Sequence, residues 1–356
     1  MRPVFSRASR HGDPQEKYGD SGAHALRISV AFQEYVLQLL GVIEKGTLSD
    51  ERFNELALQL FSLQREHNAA YRRLGADKKE VHRWHEVPAV PTAAFKELEM
   101  TSIPAAERIK EFRSSGTTAQ KPSRHFHSAE SLRVYEASLW APFKEHFAND
   151  RMTLVSLTPR VEHAPHSSLV HMFNAVGAAF AGREDWSVNL ERVSLLTSAA
   201  TGRIGLMGTA FNFVNVIDAV GSLKLPAESR VLETGGYKGR SREVSRKELH
   251  AMIRSRLGVS DIVTEYGMCE LSSQAYARAD GIFHFPSWAR VWIVSPENGR
   301  EVKEGETGLV RVFDLANVFS VMAVQTEDLG VRRGHGFELV GRASGSEARG
   351  CSLLSR

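Results

Sequence analysis

The chain has 356 residues, a 42% apolar fraction and a formal net charge of +3 from dispersed basic residues. That length exceeds one minimal domain and supplies a sizeable core, while the small, spread charge excludes a dedicated nucleic-acid binder. No run of about 18 apolar residues spans a membrane, and two cysteines, Cys269 and Cys351, form no disulfide framework, which points to a reducing cytoplasm.

Residues 1–22 are polar and charged, lack the apolar stretch of a secretory signal, and read as a disordered tail. A helical lobe is predicted over 23–86. Its clearest helix follows Ser49-Asp50, with Phe53, Leu56, Ala57, Leu60 and Phe61 at helical spacing and Gly75 as the stop. The apolar segment from Ala31 to Ile43 is expected to pair with it. Val87-Pro88-Ala89-Val90-Pro91 reads as a rigid connector, because each proline blocks helix at and before itself.

Next comes Phe112-Arg113-Ser114-Ser115-Gly116-Thr117-Thr118-Ala119-Gln120-Lys121-Pro122-Ser123. Four hydroxyls surround one glycine and a lysine follows. Backbone N–H groups and hydroxyls of such a loop suit phosphate oxygens, with the lysine adding charge. The spacing is not that of the common nucleotide-binding P-loop. A solvated Ser/Thr turn is the competing reading.

The pattern then alternates strand and helix. Met152–Leu157 reads as a strand, Ser168–Phe180 as a helix, and Arg230–Glu233 as a strand running into Thr234-Gly235-Gly236. Ser245-Arg246-Lys247-Glu248 is a capping box opening a helix through Leu257, and Asp261–Glu265 is a strand running into Tyr266-Gly267. This predicts an α/β core over 87–288 with a parallel sheet, whose ligands sit beyond the strands' carboxyl ends. Short strands at Arg290–Val294, Leu309–Phe313, Val321–Gln325 and Phe337–Val340 predict a small β-rich lobe over 289–342, followed by a mobile tail over 343–356.

Ser114-Ser115-Gly116-Thr117-Thr118, Tyr266-Gly267-Met268-Cys269-Glu270, Gln325-Thr326-Glu327-Asp328-Leu329-Gly330 and Gly341-Arg342 occur in the order of the core motifs of adenylate-forming enzymes. More closely, the chain resembles the bacterial acyl-protein synthetases, the fatty-acid-activating component of the luminescence fatty-acid reductase complex, from about Leu48 to Leu354. Also matching are Phe61–Asn68, Val90–Lys96, Thr234–Gly239 and the tail Glu347–Ser352.

The resemblance implies the N-terminal-domain fold of that superfamily: mixed and parallel sheets flanked by helices, a small C-terminal β lobe and no full C-terminal domain. It implies ATP and Mg²⁺ as cofactors and a fatty or other carboxylic acid as substrate. An acyl-accepting reductase or carrier protein would be the partner. Ser114, Ser115, Gly116, Thr117 and Thr118 would form the phosphate loop, with Lys121 as an added cation. Thr234, Gly235 and Gly236 would lie against adenine, with the Tyr266 ring on it and Gly267 in the same nucleotide-binding motif. Glu270 would hold Mg²⁺, Asp328 the ribose hydroxyls, and Arg342 would stand at a hinge near ribose or phosphate.

The sequence departs from the wider superfamily at Ala119 and Cys269, and it ends at Arg356, soon after Arg342, without the superfamily's C-terminal catalytic lysine. Cys351 matches the family's acyl-accepting cysteine, and Arg349 nearby would lower its pKa. The alternatives are a CoA or carrier-protein acceptor and a non-catalytic nucleotide binder. His163, His166 and His171 read as a loop and helix start rather than a zinc site. Phe173, Phe180, Met207, Phe211 and Phe213 read as core before acyl tunnel.

Overall fold

The computed structural model describes residues 19–76, 80–114, 121–148, 152–180, 185–186, 202–236 and 244–343. In chain order these form α1 (Gly19–Lys45), α2 (Asp50–His67), α3 (Ala69–Arg73), β1 (Val90–Pro91), α4 (Ala94–Glu97), β2 (Lys110–Arg113), β3 (Arg124–His127) and α5 (Ala129–His146). Then come β4 (Thr153–Ser156), α6 (Ser168–Phe180), β5 (Asp185–Trp186), β6 (Ile204–Thr209), α7 (Ala210–Val220), β7 (Arg230–Thr234), α8 (Arg246–Leu257), β8 (Asp261–Tyr266) and β9 (Ala275–Ala277). Last are β10 (Ile282–Phe283), β11 (Ala289–Val294), β12 (Thr307–Asp314), β13 (Ala323–Arg333) and β14 (Gly336–Arg342).

Local chemistry explains the element boundaries. Ser49 caps α2 by accepting from the backbone N–H of Arg52, and Ser245 and Glu248 cap α8 reciprocally. The predicted second helix divides at Asn68, whose side chain accepts from Tyr71 N–H to start α3 and donates to the Ser320 carbonyl. The proline connector ends in a short strand: β1 pairs parallel to β13, with Val90 opposite Val324.

Two six-stranded sheets organise the molecule, beside a two-stranded antiparallel sheet of β2 and β3. The first has the order β5-β4-β6-β7-β8-β9, parallel from β5 to β8, with β9 antiparallel at the edge. One face, with Val155, Leu206, Val231 and Ile262, packs on α7 and α8. The other, with Leu154, Met207, Leu232, Val263 and Tyr276, packs on α5 and α6 through Tyr135, Leu139, Met172 and Phe173. The second sheet runs β10-β14-β13-β12-β11, antiparallel, with β1 added to β13. Its core also includes Tyr35, Val36 and Leu39 of α1 and Phe53, Leu56 and Leu60 of α2. No helix among the described residues is long and apolar enough to cross a membrane.

Candidate functional site

The cleft opens where β7 and β8 end, the position at which parallel sheets place ligands. It has a volume of about 340 Å³, within the usual range for small-molecule sites. Ser114, Lys121, Thr234, Gly235, Gly236, Gly267, Glu270, Asp328 and Arg342 all line it. These residues are far apart in sequence and come from strands of both large sheets, from the turns that follow them and from the connection between β2 and β3. Ser115, Gly116, Thr117, Thr118 and Cys351 lie outside the described residues.

Ser114 and Ser123 close the base of the hydroxyl loop. Ser114 N–H donates to the Ser123 carbonyl at 3.0 Å, and Ser123 N–H donates to Ser114 Oγ at 2.9 Å. Lys121 Nζ reaches Glu97 Oε2 at 3.0 Å, an exposed pair that a phosphate can displace at little cost. Across the cleft, Gly235 has φ +64°, which favours glycine, and a Cβ at Gly235 or Gly236 would meet no atom within 4 Å. That bare backbone gives a flat ligand close approach.

Asp328 is held at both carboxylate oxygens. Tyr266 Oη donates to Oδ2 at 2.8 Å, and Arg342 Nε donates to Oδ1 at 3.2 Å. Asp328 and Arg342 face each other across β13 and β14, so the acid stands in a strand rather than a turn. Tyr266 does not itself line the cleft. Its ring packs edge-on against Phe283, Phe285 and Phe337, and burial pushes its hydroxyl well above its ordinary pKa.

Glu270 follows β8 on a tightly tied loop. Cys269 Sγ donates to Glu270 Oε2 at 3.2 Å, and Asn317 Nδ2 donates to the Glu270 carbonyl at 2.9 Å. Asp314 accepts from the N–H groups of Ser272, Ser273 and Ala316 and from the Ser273 hydroxyl. This anchors the loop to the end of β12. Cys269 is buried and lines the cleft. The donor set suits Mg²⁺ carried on a nucleotide: Glu270 offers one carboxylate, and no cluster of three or more acidic, His or Cys side chains among the described residues forms a protein-only metal cage.

Sequence reasoning missed Glu265 and Gln274. Both line the cleft and both are buried. Burial, with the charge of Glu233 adding, pushes the Glu265 carboxyl up to about 7 despite a hydrogen bond from the Thr234 hydroxyl. An acid two residues after the apolar pair Ile262-Val263, within a buried strand, is the signal that could have found it. The histidines fall elsewhere: His166 Nδ1 meets the Glu111 carbonyl and His171 Nε2 meets Glu136. Phe173, Met207 and Phe213 are core.

Residues 47–355 match the family described as acyl-protein synthetase, LuxE. No curated protein matches the chain. Among solved structures, 2-hydroxyisobutyryl-CoA ligase in the postadenylation state is similar at 14% identity and a TM-score of 0.64, over 82% of this chain and 67% of that one. ATP-bound MatB from Rhodopseudomonas palustris is similar at 14% identity and a TM-score of 0.50, over 68% of this chain and 49% of that one. The luciferase-like enzyme of the mealworm Zophobas morio is similar at 13% identity and a TM-score of 0.51, over 67% of this chain and 59% of that one. The chain thus spans about half the length of the MatB structure. The fold is that of the N-terminal domain of adenylate-forming enzymes.

Proposed function

The chain belongs to the acyl-protein synthetase LuxE family, and from that premise we propose that it uses ATP to activate a carboxylic acid and passes the acyl group to a thiol. Family likeness supports a long-chain fatty acid as the acid and Cys351 as the thiol. The observation that carries this reading is the convergence of Ser114, Gly235, Glu270, Asp328 and Arg342 on one cleft from distant parts of the sequence.

In the first step a carboxylate oxygen attacks the α-phosphorus of ATP, the bond to the bridging oxygen breaks, and pyrophosphate leaves. Both reactants are anions, so positioning and charge screening carry the rate. Ser114, Lys121 and the loop between them would hold the phosphates, and Glu270 would hold Mg²⁺, which supplies screening when bound. Asp328, fixed by Tyr266 and Arg342, presents acceptors to the ribose hydroxyls. The open backbone of Gly235-Gly236 would take the adenine face. In the second step a thiolate attacks the acyl carbon, AMP leaves, and the thiol proton passes to solvent. A reductase or carrier protein would then receive the acyl group.

Intact-protein mass after incubation with ATP, Mg²⁺ and mixed fatty acids tests this, with Cys351→Ala in parallel. A hydroxylamine-labile adduct on the unaltered chain alone is expected, and its mass names the acid. Acid-dependent pyrophosphate release without an adduct moves the acceptor to CoA or a carrier. Absence of any acid-dependent pyrophosphate exchange overturns the reading in favour of a nucleotide binder.

A further inference from the structure

Glu265 and Gln274 form a buried acceptor pair that the proposed chemistry does not use. Glu265 is the penultimate residue of β8, directly opposite Thr234 of β7 and Tyr276 of β9. The Thr234 hydroxyl donates to its Oε2. Its Oε1 occupies the space that a side chain at Gly267 would need: a Cβ there would stand 2.4 Å from Oε1 and 3.3 Å from Cγ of Gln274. Glu265 and Gln274 therefore flank the same glycine. The amide oxygen of Gln274, a residue 3% exposed, is fully buried and has no hydrogen-bond partner among the described residues. Leaving such an acceptor unpaired is costly, so it marks a place where a ligand donor belongs.

The pair stands on a particular side of the cleft. Leu232, Val263 and Tyr276 share the sheet face that packs on α5 and α6. Thr234 and Glu265, two residues further along their strands, continue that face into the cleft. Tyr135, Leu169 and Met172 line the cleft there as well. This is the apolar side, suited to a carbon chain, whereas Gly235-Gly236 offers bare backbone to a flat ring. Glu270, which would hold the Mg²⁺ that screens the phosphates, lies on the turn that begins at Gly267, so the reacting carboxylate has to sit beside that turn.

Resting on the function proposed above, we infer that the acid this site activates carries a hydrogen-bond donor, a hydroxyl or an amino group, close to its carboxyl end, received by Glu265 and Gln274. An unsubstituted alkyl chain would leave the Gln274 acceptor unpaired in a site it had dehydrated, and would give Glu265 no partner beyond the Thr234 hydroxyl. Sites built to hydrogen-bond a substrate group reject the analogue that lacks it far more strongly than an apolar pocket rejects a methylene.

ATP–pyrophosphate exchange tests this with acids of equal carbon number: unsubstituted, and bearing hydroxyl or amino groups at carbon 2 or 3. The unaltered chain is expected to prefer a substituted acid by about tenfold or more in kcat/KM. Glu265→Ala and Gln274→Leu should each bring that ratio toward one. Glu265→Gln keeps the shape: an amino-bearing substrate then loses its preference, and a hydroxyl-bearing one keeps it. Equal exchange with unsubstituted and substituted acids, or a preference that survives both truncations, overturns the inference and leaves ATP-dependent activation standing. Exchange with no acid at all removes both.

Discussion

Gly267 shows how closely the cleft wall is packed. A Cβ on it would stand 2.4 Å from Glu265 Oε1, and the Thr234 hydroxyl holds the other oxygen of that carboxyl, so making room costs that hydrogen bond. Gly267→Ala should destabilise the protein by about 1–3 kcal/mol, the usual cost of overpacking. Denaturant titration of the single variants and of the Gly267→Ala/Glu265→Ala double variant checks the cause. The double should be less destabilised than the sum, since the clashing carboxyl is gone; strict additivity would contradict the packing argument. Glu265 also carries a pH signature. Its pKa is about 7 in the fold against an ordinary 4.5, so the fold binds the proton more tightly than the unfolded chain does. Its contribution to stability is complete below pH 4.5 and is lost as pH rises through 7. The loss is up to about 3 kcal/mol. Glu265→Gln removes it, so urea titrations at pH 5 and pH 8 should show a smaller fall in the variant than in the unaltered chain. Equal falls would place the proton elsewhere.

At the scale of elements, the loop between β8 and β9 is anchored most densely at one carboxylate, with Asn317 adding bonds to Glu270 and Ser272. Asp314 is fully buried at the end of β12, and burial raises its pKa although three backbone N–H groups and the Ser273 hydroxyl donate to it. Asp314→Ala would orphan all of these donors, at a cost of about 3–5 kcal/mol. Asp314→Asn should rescue little, because an amide replaces one acceptor oxygen with a donor facing another donor. Thermal unfolding of both variants checks this. ATP-dependent activity at a temperature where both remain folded reports whether the loop carrying Glu270 has loosened. Elements with their own punctuation were legible in the sequence: α2 from Ser49 and its period, α6 from its apolar period, α8 from its capping box. β6 and α7 were not. The run Ile204-Gly205-Leu206-Met207-Gly208 has no alternation, because it is buried on both faces. Its glycines answer to neighbours: a Cβ at Gly205 would stand 2.7 Å from Met152 Sδ, and one at Gly208 would stand 3.1 Å from Leu157. Tertiary packing sets those residues, and locally they resemble a loop. The candidate site divides in the same way. Ordered motifs pointed to Gly235, Gly267, Glu270, Asp328 and Arg342. Glu265 and Gln274 meet only when β8 and β9 pair around Gly267, a proximity that no sequence spacing encodes.

For the whole molecule, the question is what completes the core of the antiparallel sheet. The family match begins at residue 47, after α1 ends at Lys45. Yet Phe32, Tyr35, Val36, Leu39 and Ile43 are buried along one face of α1, and Phe32 stacks on Phe319 at 4.9 Å between centroids. Those side chains join the same core as Val310, Val312 and Val324 of β12 and β13, the strands that also carry Asp314 and Asp328. Burying five such side chains is worth about 7–15 kcal/mol as an upper figure. That is comparable with the whole stability of a typical domain, about 5–15 kcal/mol. A chain lacking residues 1–46 should therefore fail to give a cooperative unfolding transition, or melt far below the full chain, and expose apolar surface to a hydrophobic dye. A chain lacking only residues 1–18 loses none of those five side chains and should melt close to the full protein. The contrast between the two truncations separates loss of the α1 face from shortening alone. Equal melting of all three chains would show that α1 covers the core without supporting it.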